Sequence, residues 1–101
     1  LVLEAQCLRL LGQPSAALER LARAQTLAHA NLPPGHIVVG DIFHEVGLAE
    51  LALAHPVRAT DALERAVRIH DAADIAPAER LAPRRDLASA KAALDSGDPG
   101  P

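Results

Sequence analysis

"LALAHPVRATDALERAVRI", residues 51–69, runs apolar and alanine-rich, breaks at His55-Pro56, and resumes with the same character. A residue before proline is pushed out of the α region, and proline suits a first helical turn because its missing N–H would have no partner there. One helix therefore ends near Ala54 and another begins near Val57. The earlier stretch "LLGQPSAALERLARAQTL", residues 10–27, has the same form. A shift of 42 residues lays Gly12 on Ala54, Pro14 on Pro56, Ala17 on Ala59, Leu21 on Leu63, Ala24 on Ala66 and Leu27 on Ile69. The break is the turn inside a helix hairpin, and the hairpin occurs twice. A fixed period of this size with a helix pair in each period is the pattern of a helical solenoid.

Working outward, the apolar spacing predicts five helices. The first covers about 1–11 and ends at Gly12, a residue suited to a C-terminal cap. The second restarts at "QPS", with Ser15 as the expected N-cap and Glu19 in the first turn, and runs to about Ala30, where "NLPPG" stops it. The third spans about 37–54 and the fourth about 57–73, ended by "DIAP". A fifth covers about 78–95, with Pro83 inside it, so that its first turn could be a separate piece. Residues 96–101 read as a frayed tail. No segment alternates with the period of a strand, so the expected class is all-α.

The same 42-residue shift carries Ala5 to Gly47 and on to Ser89. Small residues at these places let paired helices approach to about 8–10 Å. Ala59 and Ala66 flank Leu63 on one face of the fourth helix, and Gly47 offers that leucine a gap on the third. Ile69 and Val67 are expected to meet the helix that follows.

Composition narrows the functions open to such a chain. Its 101 residues make one small domain with a single thin core, built from 22 alanines and 16 leucines around one aromatic, Phe43. A formal charge of −3 provides no basic footprint for nucleic acid. No apolar run reaches the ~18–20 residues needed to span a bilayer, and no signal-peptide pattern is present. A lone Cys7 forms no internal disulfide, and, placed among apolar residues, is expected to be buried and inert. These features lead us to expect a cytoplasmic protein. Nine arginines against one lysine are associated with bacterial coding sequences, and the start at Leu1 suggests a fragment of a longer chain.

In one half the residues read Val46-Gly47-x2-Glu50, Ala54, then Ala59-x3-Leu63-x2-Ala66; in the other, Glu4-Ala5-x2-Leu8, Gly12, then Ala17-x3-Leu21-x2-Ala24. This resembles the tetratricopeptide repeat pattern of Leu-Gly-x2-Tyr, Gly, then Ala-x3-Phe-x2-Ala, in the 42-residue variety of kinesin light chains and bacterial multi-repeat proteins. "PGHIVVGDIFHEVGLAELAL" is similar to the opening of that longer repeat, with Ile37 where proline usually stands. The aromatic positions of the family are here aliphatic, alanine or glutamate. The resemblance covers about residues 1–94. It implies antiparallel hairpins stacked as a right-handed solenoid, with repeat one at about 1–36, repeat two at about 37–77, and a half repeat or cap at about 78–95.

In that family the first helix of each pair lines a concave groove that binds a peptide or protein. By spacing, the groove residues here would be Gln6, Arg9, Asp41, His44, Leu48 and Asp86, with Lys91 beside them. The lysines and asparagines with which some members grip a C-terminal carboxylate are missing: Val2 and His44, then Gln6 and Leu48, occupy those places. The resemblance therefore implies a scaffolding or protein-binding module, the C-terminal part of a larger bacterial protein, with no cofactor and no nucleic-acid or membrane partner. A second implication is a regulatory role. "LERAVRIHDAADIAPAERLA" is similar to repeats appended to bacterial Ser/Thr kinases and transcriptional regulators, where they would pack on the chain's own effector domain.

Chemistry of other kinds finds little support. A closed zinc site needs four N or S ligands at set spacing, and the five histidines and Cys7 offer neither CxxC nor HxxxH. The Glu-x-x-His pairs of a di-iron bundle do not occur. Asp41 and His44 share a helix face, but His29, His36 and His55 read as surface or turn residues. Glu45 and Glu50 lie five apart and do not share a face as an acid–base pair would. Arg84-Arg85 has no aromatic neighbour for stacking bases, and Asp86 and Glu79 are available as its partners. We expect no enzyme.

Overall fold

In the computed structural model, which describes residues 2–73 and 77–96, five helices follow one another: α1 Val2–Leu10, α2 Pro14–Asn31, α3 Ile37–Ala52, α4 Pro56–Ala72 and α5 Pro77–Ser96. The described residues contain no strand. Part of the expected "DIAP" stop and the tail beyond 96 lie outside the described residues. Pro83 does not divide α5, and its side chain is fully buried.

Both hairpin turns have the same construction. The Gln13 N–H donates to the Leu8 carbonyl at 2.8 Å and the Gly12 N–H to Arg9 at 3.0 Å. Forty-two residues on, the His55 N–H donates to Glu50 at 2.9 Å and the Ala54 N–H to Leu51 at 3.0 Å. These are the two bonds of a Schellman cap, which needs a residue in the left-handed region. Gly12 supplies it with φ +81°, and Ala54 adopts it with φ 61° despite its Cβ. Proline then opens α2 and α4. The N-cap of α2 is Gln13 and not Ser15, because Pro14 takes the first helical position, and no side chain caps that end. Ala54→Gly is expected to stabilise the chain by about 0.5–1 kcal/mol, since left-handed backbone costs an alanine but not a glycine. Gly12→Ala should lose a similar amount, because its Cβ would meet nothing within 4 Å and the cost is conformational alone. Paired urea melts check both signs.

The core is divided. One cluster joins Ala5 of α1, Ala17, Leu21, Ala24 and Ala28 of α2, and Ile42 and Ala49 of α3. A second joins Ala59 and Leu63 of α4 with Ala90 of α5, and Leu51 and Leu87 pack against it. Helix α1 touches α2 and α3, while α3 touches all four of the others; among the described residues α1 does not meet α5, nor α2 meet α4. The body is elongated, 43 × 28 × 20 Å.

Leu63 enters the gap at Gly47 as the spacing predicts: a Cβ on Gly47 would lie 2.4 Å from Leu63 Cγ. Ala59 and Ala66, on either side of that leucine, are fully buried. Ile69 packs on α3, where its Cγ2 would lie 2.9 Å from a Cβ on Gly40. The repeat also slips by one residue at α5. The face Ile42, Val46, Ala49 of α3 packs into the first cluster, and the corresponding face of α5 is Pro83, Leu87, Ala90, displaced by 41. Ser89, the third small residue of the expected series, is exposed.

Candidate functional site

The first helices of the pairs, α1, α3 and α5, place the candidate groove residues in three different settings. Arg9 of α1 reaches across to α3, where its Nε donates to Glu45 Oε1 at 3.1 Å. Both side chains are largely buried, 20% and 10% exposed, so removing Arg9 would strand a carboxylate with little access to water. His44 of α3 and Asp86 of α5 meet at 2.6 Å, the imidazole Nε2–H donating to Oδ2. They stand 42 residues apart, one more than the 41-residue displacement between the packed faces of α3 and α5. Arg85 approaches the other oxygen of Asp86 at 3.8 Å.

Asp41 turns the other way, toward α4, and its Oδ1 lies 3.2 Å from Nε2 of His70. The angle there does not make a hydrogen bond, and both buried ring nitrogens of His70 lack a hydrogen-bond partner. Gly40 makes room for that ring, since a Cβ there would lie 2.6 Å from His70 Cδ2. The sequence reading did not single out His70 as buried. Its partner in the 42-residue shift is Ala28, a core position, and that correspondence was the available signal.

The stripe is thus not one continuous polar strip. Arg9, His44 and Asp86 are engaged in bridges between first helices, and Asp41 in a contact with α4. Gln6 and Leu48, both half-buried, take part in no ion pair, and Lys91 is exposed.

The remaining ionisable side chains have structural settings of their own. His36 caps α3, its Nδ1 accepting from the Val38 N–H at 3.1 Å. His55 pairs with Glu50 at 2.7 Å beside the second turn. Arg84 pairs with Asp71 of α4, while the expected partner Asp86 is approached by Arg85; the side chain of Glu79, the other expected partner, lies outside the described residues. Cys7 is exposed, contrary to expectation, because Ala5 and not Cys7 is the α1 residue sunk into the core. Among the described residues no three His, Cys, Asp or Glu side chains gather to hold a metal ion. Among the described residues no helix is long and apolar enough to cross a membrane. Comparison with protein-family models, curated proteins and solved structures finds no match.

Proposed function

We propose that the chain is a stretch of a tetratricopeptide-like right-handed solenoid, and that it serves as a protein-binding module through the surface of α1, α3 and α5. The observation that carries this reading is the repetition of one hairpin at 42 residues, down to the same two cap hydrogen bonds at Gly12 and Ala54. The divided core and the contacts from α1 to α3 and from α3 to α5 support it, because in a stack each unit touches only its neighbours. The row of first helices is then the side on which an extended or helical segment of a partner would lie.

The test uses residues free of ion pairs. Substitutions at Asp41 or His44 would loosen α3 from α4 or α5, so that lost binding would be ambiguous. Gln6→Arg and Leu48→Glu alter the surface without breaking a bridge. In pull-downs from the source cell, we expect at least one partner held by the wild type to be lost from Leu48→Glu and weakened by Gln6→Arg, with unchanged circular dichroism. Identical partner sets for all three folded proteins would mean that this surface is not the site.

A further inference from the structure

The opposite side of α3 carries a second feature. Phe43 lies two residues from both Asp41 and Glu45, about 200° around the helix, and so faces away from the row of first helices. Because α2 and α4 do not touch, a cleft remains between them with α3 as its floor. On the α2 side is a cavity of about 530 Å³ walled by Leu32, Val39, Ile42 and Phe43, with Thr26 and His29 among its polar groups. On the α4 side is a second hollow of about 400 Å³, bounded by the same Phe43 and by Asp61, Arg65, Arg68 and Ile69. Phe43 is the one aromatic of the chain and the wall common to both.

The cleft is therefore polarised. The guanidinium of Arg65 sits 5.5 Å from the centroid of the Phe43 ring, which places a cation directly beside the apolar cavity. Its carboxylate neighbour Asp61 is 3.5 Å away in an exposed pair, the kind that contributes little and yields readily to another anion. Arg68 pairs with no carboxylate among the described residues. The larger cavity lies in the size range of small-molecule pockets, about 300–1,000 Å³, and such pockets combine an apolar lining with a few polar groups that fix orientation.

We propose that this cleft binds a small anionic amphiphile, an alkyl or aryl carboxylate, with its apolar body against Val39, Ile42 and Phe43 and its carboxylate on Arg65 and Arg68. The charge complementarity favours an anion at the α4 end, and a cavity of about 530 Å³ walled by Leu32, Val39, Ile42 and Phe43 favours a compact apolar body over a long helix face. The site is independent of the surface of α1, α3 and α5, so either can fail without the other.

Calorimetric titration with decanoate, kept below its micelle concentration, tests the proposal on the whole chain. Saturable one-to-one binding is expected, weakened at least ten-fold in Arg65→Gln/Arg68→Gln. Decanol, which lacks the charge, should bind the wild type and that double variant equally. Thr26→Trp, a substitution at an exposed position on the cavity rim, should abolish binding of both ligands, with circular dichroism confirming that the helices persist. Absence of saturable decanoate binding, or equal affinity in wild type and the arginine variant, overturns the proposal. So does a cleft that takes only an acidic amphipathic peptide and not decanoate, because the occupant would then be a protein.

Discussion

Gly47→Ala is expected to destabilise the chain by about 2–3 kcal/mol, although alanine is the better helix former, because overpacking a filled core costs about 1–3 kcal/mol and usually strains both partners. The new methyl would lie 2.4 Å from Leu63 Cγ and 2.7 Å from Cδ2. Cγ is a branch point and not the far end of a flexible side chain, and Leu63 is fully buried between Ala59 and Ala66. The leucine has no open space to retreat into, so α3 and α4 must separate. Away from such a contact the same substitution in a helix interior would gain about 0.8–1 kcal/mol. The sign of the measured change therefore reports the contact itself. A urea melt showing Gly47→Ala unchanged or more stable would mean that Leu63 does not occupy the gap.

Leu63→Ala is expected to cost about 2–4 kcal/mol, the range for a buried leucine whose cavity only partly collapses. The two substitutions also share one volume, so they should not add. In a Leu63→Ala background the methyl at Gly47 finds the space the leucine has left, and Gly47→Ala should turn neutral or mildly stabilising. Strict additivity in the double-mutant cycle would contradict the knob-and-gap arrangement at that place.

This contact was legible in the sequence because it depends on position alone. Gly47, Ala59, Leu63 and Ala66 recur at helical spacing and again at 42 residues, and both signals survive without knowledge of any partner helix. The turns at Gly12 and Ala54 were legible for the same reason, being set by proline and by the cap that precedes it. What depends on how helices rotate against each other was not. Cys7 looks like a core residue beside Leu8 and Leu10, yet the rotation of α1 sinks Ala5 and leaves the thiol exposed. The packing of Ile69 on α3, where Gly40 permits a close approach, was likewise not given by spacing.

The candidate surface was legible as a stripe but not as a set of pairs. Spacing places Asp41 and His44 on one face of α3, and it does not show that one leans to α4 and the other to α5. That separation arises because α3 is surrounded by four helices, so that residues three apart meet different neighbours. The pairing of His44 with Asp86 matches the 42-residue shift of the sequence, but the packed faces of α3 and α5 are displaced by 41, so the shift alone does not bring the two side chains together. Arg9 and Glu45, 36 residues apart, fall outside that rule and needed the coordinates.

The arrangement of the hairpins is tested most directly by methyl NOEs in solution. If the chain is a stack, methyls of Ala5 and Leu8 on α1 should show cross-peaks to the Val46 and Ala49 cluster on α3, and Leu51 of α3 to Leu87 and Ala90 of α5. No cross-peak should join α1 to α5. Cross-peaks between the methyls of α1 and α5 would close the helices into a bundle, remove the open row of first helices, and contradict the solenoid and the binding surface together.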